Sequence, residues 1–235
     1  MALPKLNVPR YSLILPSNGV KVKYRPFLVK EEKMLLLAME SEDQEQMAET
    51  ITNLLESCTN LTNVKDLATF DIEYLFLQIR SKSVGETVDV MMTCPDDEET
   101  QVKVTIPLDK IEVQTDPEHS KELKLTPDVG LVMQYPSMEM FIKNNFADEN
   151  QVENIFEIAA DCIVQIFEGD EVYEAKESSK TELIEFIEQM NTQQFQDVQK
   201  FFETMPKLKY DVKFTNPKTK KKHTVSLEGL AAFFG

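Results

Sequence analysis

Few side chains in this sequence are equipped for bond-making chemistry. A catalytic centre needs ionisable or nucleophilic groups of suitable pKa held within reach of one another. There are two histidines. His119 stands in the polar run Asp116-Pro117-Glu118-His119-Ser120, and His223 ends a lysine-rich turn. Both are expected in exposed loops, and neither accompanies a nucleophile motif such as a serine elbow. Gly19, Gly85, Gly130, Gly169, Gly229 and Gly235 never cluster, so no glycine-rich phosphate loop is present. No catalytic and no cofactor-binding residue is assigned, and the chain is expected not to be an enzyme.

Metal binding needs closer weighing. Cys94-Pro95-Asp96-Asp97-Glu98 separates two alternating segments, the position where a zinc knuckle puts its Cys-x-x-Cys pair. Structural zinc takes four soft or borderline ligands. This tip offers one thiol among carboxylates, and the matching turn Asn216-Pro217-Lys218 offers none. Asp96, Asp97, Glu98 and Glu99 could instead hold a hard cation, although acids at a hairpin tip are ordinarily just solvated. No metal ligand is assigned. The alternative kept beside this is a metal-stabilised module or metal-dependent enzyme using the Cys94 tip and His223.

Charge narrows the partners. With 41 acids against 25 bases the net charge is −16, which repels nucleic acid and anionic membrane. Neither is expected as a partner. Lys218, Lys220, Lys221 and Lys222 could dock an acidic surface, but a charged tip also keeps an edge strand soluble. The apolar run Met34–Met39 is far too short for a membrane span, and Met1–Lys5 lacks the apolar core of a signal peptide. Cys58, Cys94 and Cys162 are odd in number and widely spaced, so reduced buried thiols in an intracellular protein are expected.

The elements that must position these residues alternate between strand and helix periods. Tyr11–Leu15 and Val20–Tyr24 flank Pro16-Ser17-Asn18-Gly19, a hairpin whose Asn-Gly suits a tight reversal. Residues 30–40 and 43–58 carry apolar positions at helical spacing, and Asp71 is placed to cap a third helix. Val88, Val90 and Met92, then Val102, Val104 and Ile106, alternate with polar residues and predict a second hairpin around Cys94. Asp148 should open a long helix through Val152, Ile155, Phe156, Ala159, Ile163 and Ile166, broken by Gly169. Ser179-Lys180-Thr181-Glu182 has capping-box spacing. A third hairpin spans residues 209–215 and 223–227, and Phe233 with Phe234 either tucks into the core or offers an aromatic anchor.

Residues 2–6, Leu15-Pro16-Ser17, Tyr24-Arg25-Pro26-Phe27-Leu28-Val29-Lys30-Glu31-Glu32-Lys33 and Arg80-Ser81-Lys82-Ser83-Val84-Gly85-Glu86 together resemble the T4-type phage baseplate hub subunit and hub assembly chaperone family, in its cyanophage-like version. The Cys94-Pro95 tip and the ending from Leu227 to Phe234 fit as well. Some relatives carry Cys-Pro-x-Cys at the first tip; here the second position is Asp97, so no zinc role carries over. The resemblance implies a morphogenesis protein that contacts phage baseplate hub proteins, in the host cytoplasm during assembly or within the virion baseplate.

The expected fold class is α+β: helical segments alternating with antiparallel hairpins, with the helices-then-hairpin plan used twice. Expected boundaries are 1–113, a linker at 114–135 containing short strands, and 136–235 ending in the third hairpin. The partner-binding candidates are Arg25, Pro26, Phe27, Val84, Gly85, Glu86, Phe233 and Phe234. For Arg25-Pro26-Phe27 and Val84-Gly85-Glu86 the plainer reading is fold-defining turns.

Overall fold

Alternation between helical and strand periods produces an α+β fold, seen in a computed structural model that describes residues 6–40, 44–140 and 151–229. These residues divide into two compact units. One comprises the described residues of Met1–Val64, Phe70–Gln114 and Lys207–Gly235; the other those of Lys65–Thr69 and Thr115–Pro206.

The first unit opens with the hairpin of β1 (Tyr11–Ile14) and β2 (Lys21–Tyr24), paired Leu13 to Val22. Gly19 turns it at φ 73°, and Asn18 Oδ1 accepts the Val20 N–H at 2.9 Å. Three helices follow: α1 (Val29–Glu40), α2 (Gln44–Cys58) and α3 (Thr69–Ser83). In α2, Ala48, Ile51, Leu54, Leu55 and Cys58 are buried, a single stripe at helical spacing. By contrast α3 buries Phe70, Ile72, Leu75, Phe76, Leu77 and Ile79, which lie on more than one face and make it the central helix of the unit. Asp71 lies inside the first turn of α3; its carboxylate accepts the Ser17 N–H at 3.1 Å and the Ser17 hydroxyl, tying α3 to the β1–β2 turn.

The second hairpin is β3 (Thr87–Thr93) with β4 (Gln101–Pro107), pairing Val88 with Ile106, Val90 with Val104 and Met92 with Val102. A short β5 (Glu112–Gln114) follows it. In the second unit, β6 (Glu122–Lys124), β7 (Val129–Met133), β8 (Ile163–Glu168) and β9 (Glu171–Glu174) form one antiparallel sheet in that order. This unit also carries the helices α4 (Gln151–Asp161), α5 (Lys180–Glu188) and α6 (Thr192–Thr204). Leu131, Met133, Ala159, Ala160, Cys162, Ile163, Leu183, Ile187, Val198 and Phe201 pack together as its core.

One expected helix is corrected. Helical spacing carries the α4 pattern on to Ile166, yet the helix ends at Asp161 and Ile163–Glu168 is strand β8, paired with β7 and β9. Gly169 at φ 59° therefore turns a β-hairpin rather than ending a helix. Ile163, Val164, Ile166 and Phe167 are β-branched or aromatic, types that fit a pleated sheet once partner strands are in place. The expected start of this helix, Asp148, lies outside the described residues.

The third hairpin, β10 (Lys207–Thr215) with β11 (Lys222–Glu228), closes residues 136–235 in the sequence. In space β10 pairs with β5, in the order β11-β10-β5. Its Leu208, Val212 and Phe214 pack with Leu77, Met92, Cys94, Ile106, Leu108 and Ile111, all of the first unit. Burying each such large side chain contributes about 1.5–3 kcal/mol. Charge divides unevenly as well. Lys65–Thr69 and Thr115–Pro206 hold 21 acids against 7 bases, net −14, which leaves 20 against 18, net −2, for the rest.

Candidate functional site

The two turns weighed as metal knuckles come together in the first unit. At one tip the Glu98 N–H donates to the Cys94 carbonyl at 2.9 Å; at the other the Lys220 N–H donates to the Asn216 carbonyl at 2.9 Å. Glu98 and Lys220, each four residues past the start of its turn, have φ of 55° and 63°. The Asn216 side-chain amide donates to Asp96 Oδ1 at 2.9 Å and to Asp97 Oδ2 at 3.1 Å, and the Thr219 hydroxyl donates to Asp96 Oδ2. Asn216 is fully buried. The Thr100 hydroxyl and then its N–H, both donating to Asp97, hold that carboxyl far below the usual carboxylate range. Thr219 and Asn216 lower Asp96 in the same way. Carboxylates kept ionised this firmly are poor proton donors; the arrangement is suited to joining two tips.

His223 is corrected from exposed to largely buried, with 14% of its side chain exposed. Its Nε2 lies 2.8 Å from Asp96 Oδ1 without hydrogen-bond alignment, and its ring meets Phe214 at 5.7 Å. His119 is corrected too. Its ring packs against Tyr135 and Phe201 at 5.5 and 5.2 Å. The Thr204 hydroxyl donates to the Lys200 carbonyl, so it accepts from His119 Nδ1 at 3.0 Å, and Nε2 is left to accept from the Tyr135 hydroxyl at 3.1 Å. Burial, and then Lys121, lower the pKa of this neutral imidazole. Two loop histidines by composition are thus packed joints.

Arg25, Pro26 and Phe27 form another joint. Arg25 pairs with Glu31 at 3.0 Å and donates to the Pro26 and Ser57 carbonyls, each at 3.0 Å. Pro26 is buried, the Phe27 N–H donates to the Ser83 hydroxyl at 2.7 Å, and its ring meets Phe76 at 5.4 Å. Val84, Gly85 and Glu86 lie on an exposed turn, with Gly85 at φ 140° and Glu86 paired to Lys82 at 2.6 Å. Phe233 and Phe234 lie outside the described residues, as does part of the acidic run from Glu40 to Glu45. Cys58, Cys94 and Cys162 are free and buried.

Sequence reasoning missed an exposed apolar row on α1. Along α1, Glu31, Leu35 and Ala38 point inward, while Val29, Leu36 and Leu37 stand 82%, 56% and 55% exposed, with Leu28 and Met34 beside them. Positions i, i+7 and i+8 share one helix face. The signal was present in Met34-Leu35-Leu36-Leu37-Ala38, a run too continuous for one buried stripe. Val29, Leu36 and Leu37 thus leave an apolar row of α1 exposed among the described residues.

Comparison with known proteins supplies the kind of partner. Residues 8–235 match the family described as T4 bacteriophage base plate protein. The chain belongs to that family. No curated protein and no solved structure matches it. A base plate protein is one part of a multi-protein assembly, and the fold of this base plate protein offers joints and surfaces accordingly. Among the described residues no group of three or more His, Cys, Asp and Glu is disposed to hold a metal ion, and no helix is long and apolar enough to cross a membrane.

Proposed function

We propose that this base plate protein acts without catalysis, in building the central hub of a contractile-tail base plate or as a structural part of it. Its work is adhesion to other base plate proteins, either in the host cytoplasm during assembly or within the virion. Family membership supports the setting. The observation that carries the mechanism is the exposed row of Val29, Leu36 and Leu37 on α1. The occupant is an apolar surface of another base plate protein, whose contact would remove this row from water.

Co-purification of the full chain with the hub components of the same phage tests this. The wild-type chain is expected to retain at least one hub component. The Leu36→Glu, Leu37→Glu double variant is expected to lose it while keeping its melting temperature, since both side chains already face water. Undiminished capture by the folded double variant would remove α1 as the docking face. A wild-type chain that captures no base plate component would remove the proposal itself.

A further inference from the structure

We propose that the two tips at Cys94 and Asn216 form a paired knuckle in which hydrogen bonds between protein groups stand where a tetrahedral cation would otherwise join them. The tips share one backbone plan. Each begins X-Pro, bonds the N–H of its fifth residue to the carbonyl of its first, and places that fifth residue in the left-handed region. Glu98 and Lys220 hold this conformation despite their side chains, so the plan is imposed by what the tips join rather than by glycine.

The first and fourth positions of a knuckle are where a metal takes its ligands. Here those positions are Cys94 and Asp97 at one tip and Asn216 and Thr219 at the other. Polar side-chain atoms there already gather the turn N–H groups as a ligand atom would. Asp97 Oδ1 accepts from Thr100 at 3.0 Å and Glu99 at 3.3 Å; Asn216 Oδ1 accepts from Lys218 at 2.8 Å and Thr219 at 3.2 Å.

Across the gap the chemistry is complementary. One tip supplies the acceptors Asp96 and Asp97, the other the donors Asn216 and Thr219, with His223 at 2.8 Å from Asp96. Attraction between the tips therefore comes from donor meeting acceptor, where a cation would have attracted ligands from both. Cys94 is buried and is the one soft ligand at these four positions, beside Asp97, Asn216 and Thr219, a set that joins by hydrogen bonds rather than through a metal. The backbone needed for a metal remains, and only three side chains stand between this lock and a four-thiolate centre.

The test is the full chain carrying Asp97→Cys, Asn216→Cys and Thr219→Cys, purified reduced and titrated with cobalt(II). Uptake at one ion per chain is expected, with thiolate-to-cobalt charge transfer and the intense visible bands of tetrahedral cobalt, bleached by zinc. The native chain and the single variant Asp97→Cys should show neither band. A folded triple variant that takes up no stoichiometric cobalt, or gives only weak octahedral bands, overturns the proposal. If the triple variant is unfolded when metal-free, refolding by circular dichroism on adding zinc supports it, and failure to refold overturns it. Native chain that keeps one zinc per molecule through dialysis against a chelator also overturns it.

Discussion

Arg25 and Glu31 grip each other through both ends of their side chains, at 3.0 and 3.3 Å, with Glu31 only 2% exposed. Glu31 also accepts the Leu28 N–H at 2.6 Å, and Arg25 reaches the Ser57 carbonyl near the end of α2. One ion pair thus joins the end of β2, the start of α1 and the end of α2. Burial alone would raise the Glu31 carboxyl, but hydrogen bonds from Arg25 and Leu28 outweigh it and hold the pKa below its ordinary value.

Glu31→Gln should therefore destabilise the chain by about 1.5–3 kcal/mol at neutral pH, the range for hydrogen bonds to charged groups. The folded pKa is depressed, so this stabilisation is complete above the ordinary carboxylate value of about 4.3 and is lost as pH falls through the folded value. Urea unfolding of wild type and variant checks it. The gap between them should stay level from neutral pH to about pH 5 and narrow on further acidification. A gap that widened in acid would reverse the sign assigned to Glu31.

At the joined tips, Asn216→Ala removes two cross-tip hydrogen bonds and leaves Asp96 and Asp97 short of donors. A loss of about 1–3 kcal/mol is expected. Lys220→Gly, by contrast, relieves a left-handed lysine and should be neutral or stabilising by up to about 1 kcal/mol. Thermal melts of the two variants should move in different directions or, at least, by very different amounts.

Gly130 permits close packing in the second unit. A Cβ there would collide with Phe167 Cζ and stand 2.6 Å from the Leu123 carbonyl oxygen. Gly130→Ala should cost about 1–3 kcal/mol by overpacking. Adding Phe167→Val is expected to recover only part of the loss, because the backbone oxygen remains. Denaturant midpoints of the single and double variants measure this directly.

All three thiols should be silent to a disulfide reagent in the native chain at neutral pH and react together on unfolding. Burial is the first cause in each case, and it pushes Cys162 up to about 12. Rapid native-state reaction of any one of them would show that its surroundings open.

Much of the architecture was legible in the residues because it depends on local periodicity. The alternation of Val88, Val90 and Met92 with their neighbours specified β3, Asn18-Gly19 specified the first turn, and Ser179 with Glu182 specified a capping box that the structure forms. Asn191 with Gln194 carries the same spacing and forms the same box, a signal overlooked beside the stronger one. Strand β8 was hidden because Ile155, Phe156, Ala159, Ile163 and Ile166 satisfy a helical period, and only pairing with β7 and β9 decides between the two.

By itself, then, the sequence determined the α+β class, the hairpin turns, the acidic balance and the resemblance to phage base plate proteins. All of these follow from nearest neighbours, simple composition or order along the chain. Tertiary structure alone decided that β10 pairs with β5, that Asn216 meets Asp96 across more than a hundred residues of chain, and that both histidines are packed. It also decided that Leu36 and Leu37 face water while Leu35 does not. Those outcomes depend on which surfaces compete for burial once distant segments meet, and no local pattern encodes that competition.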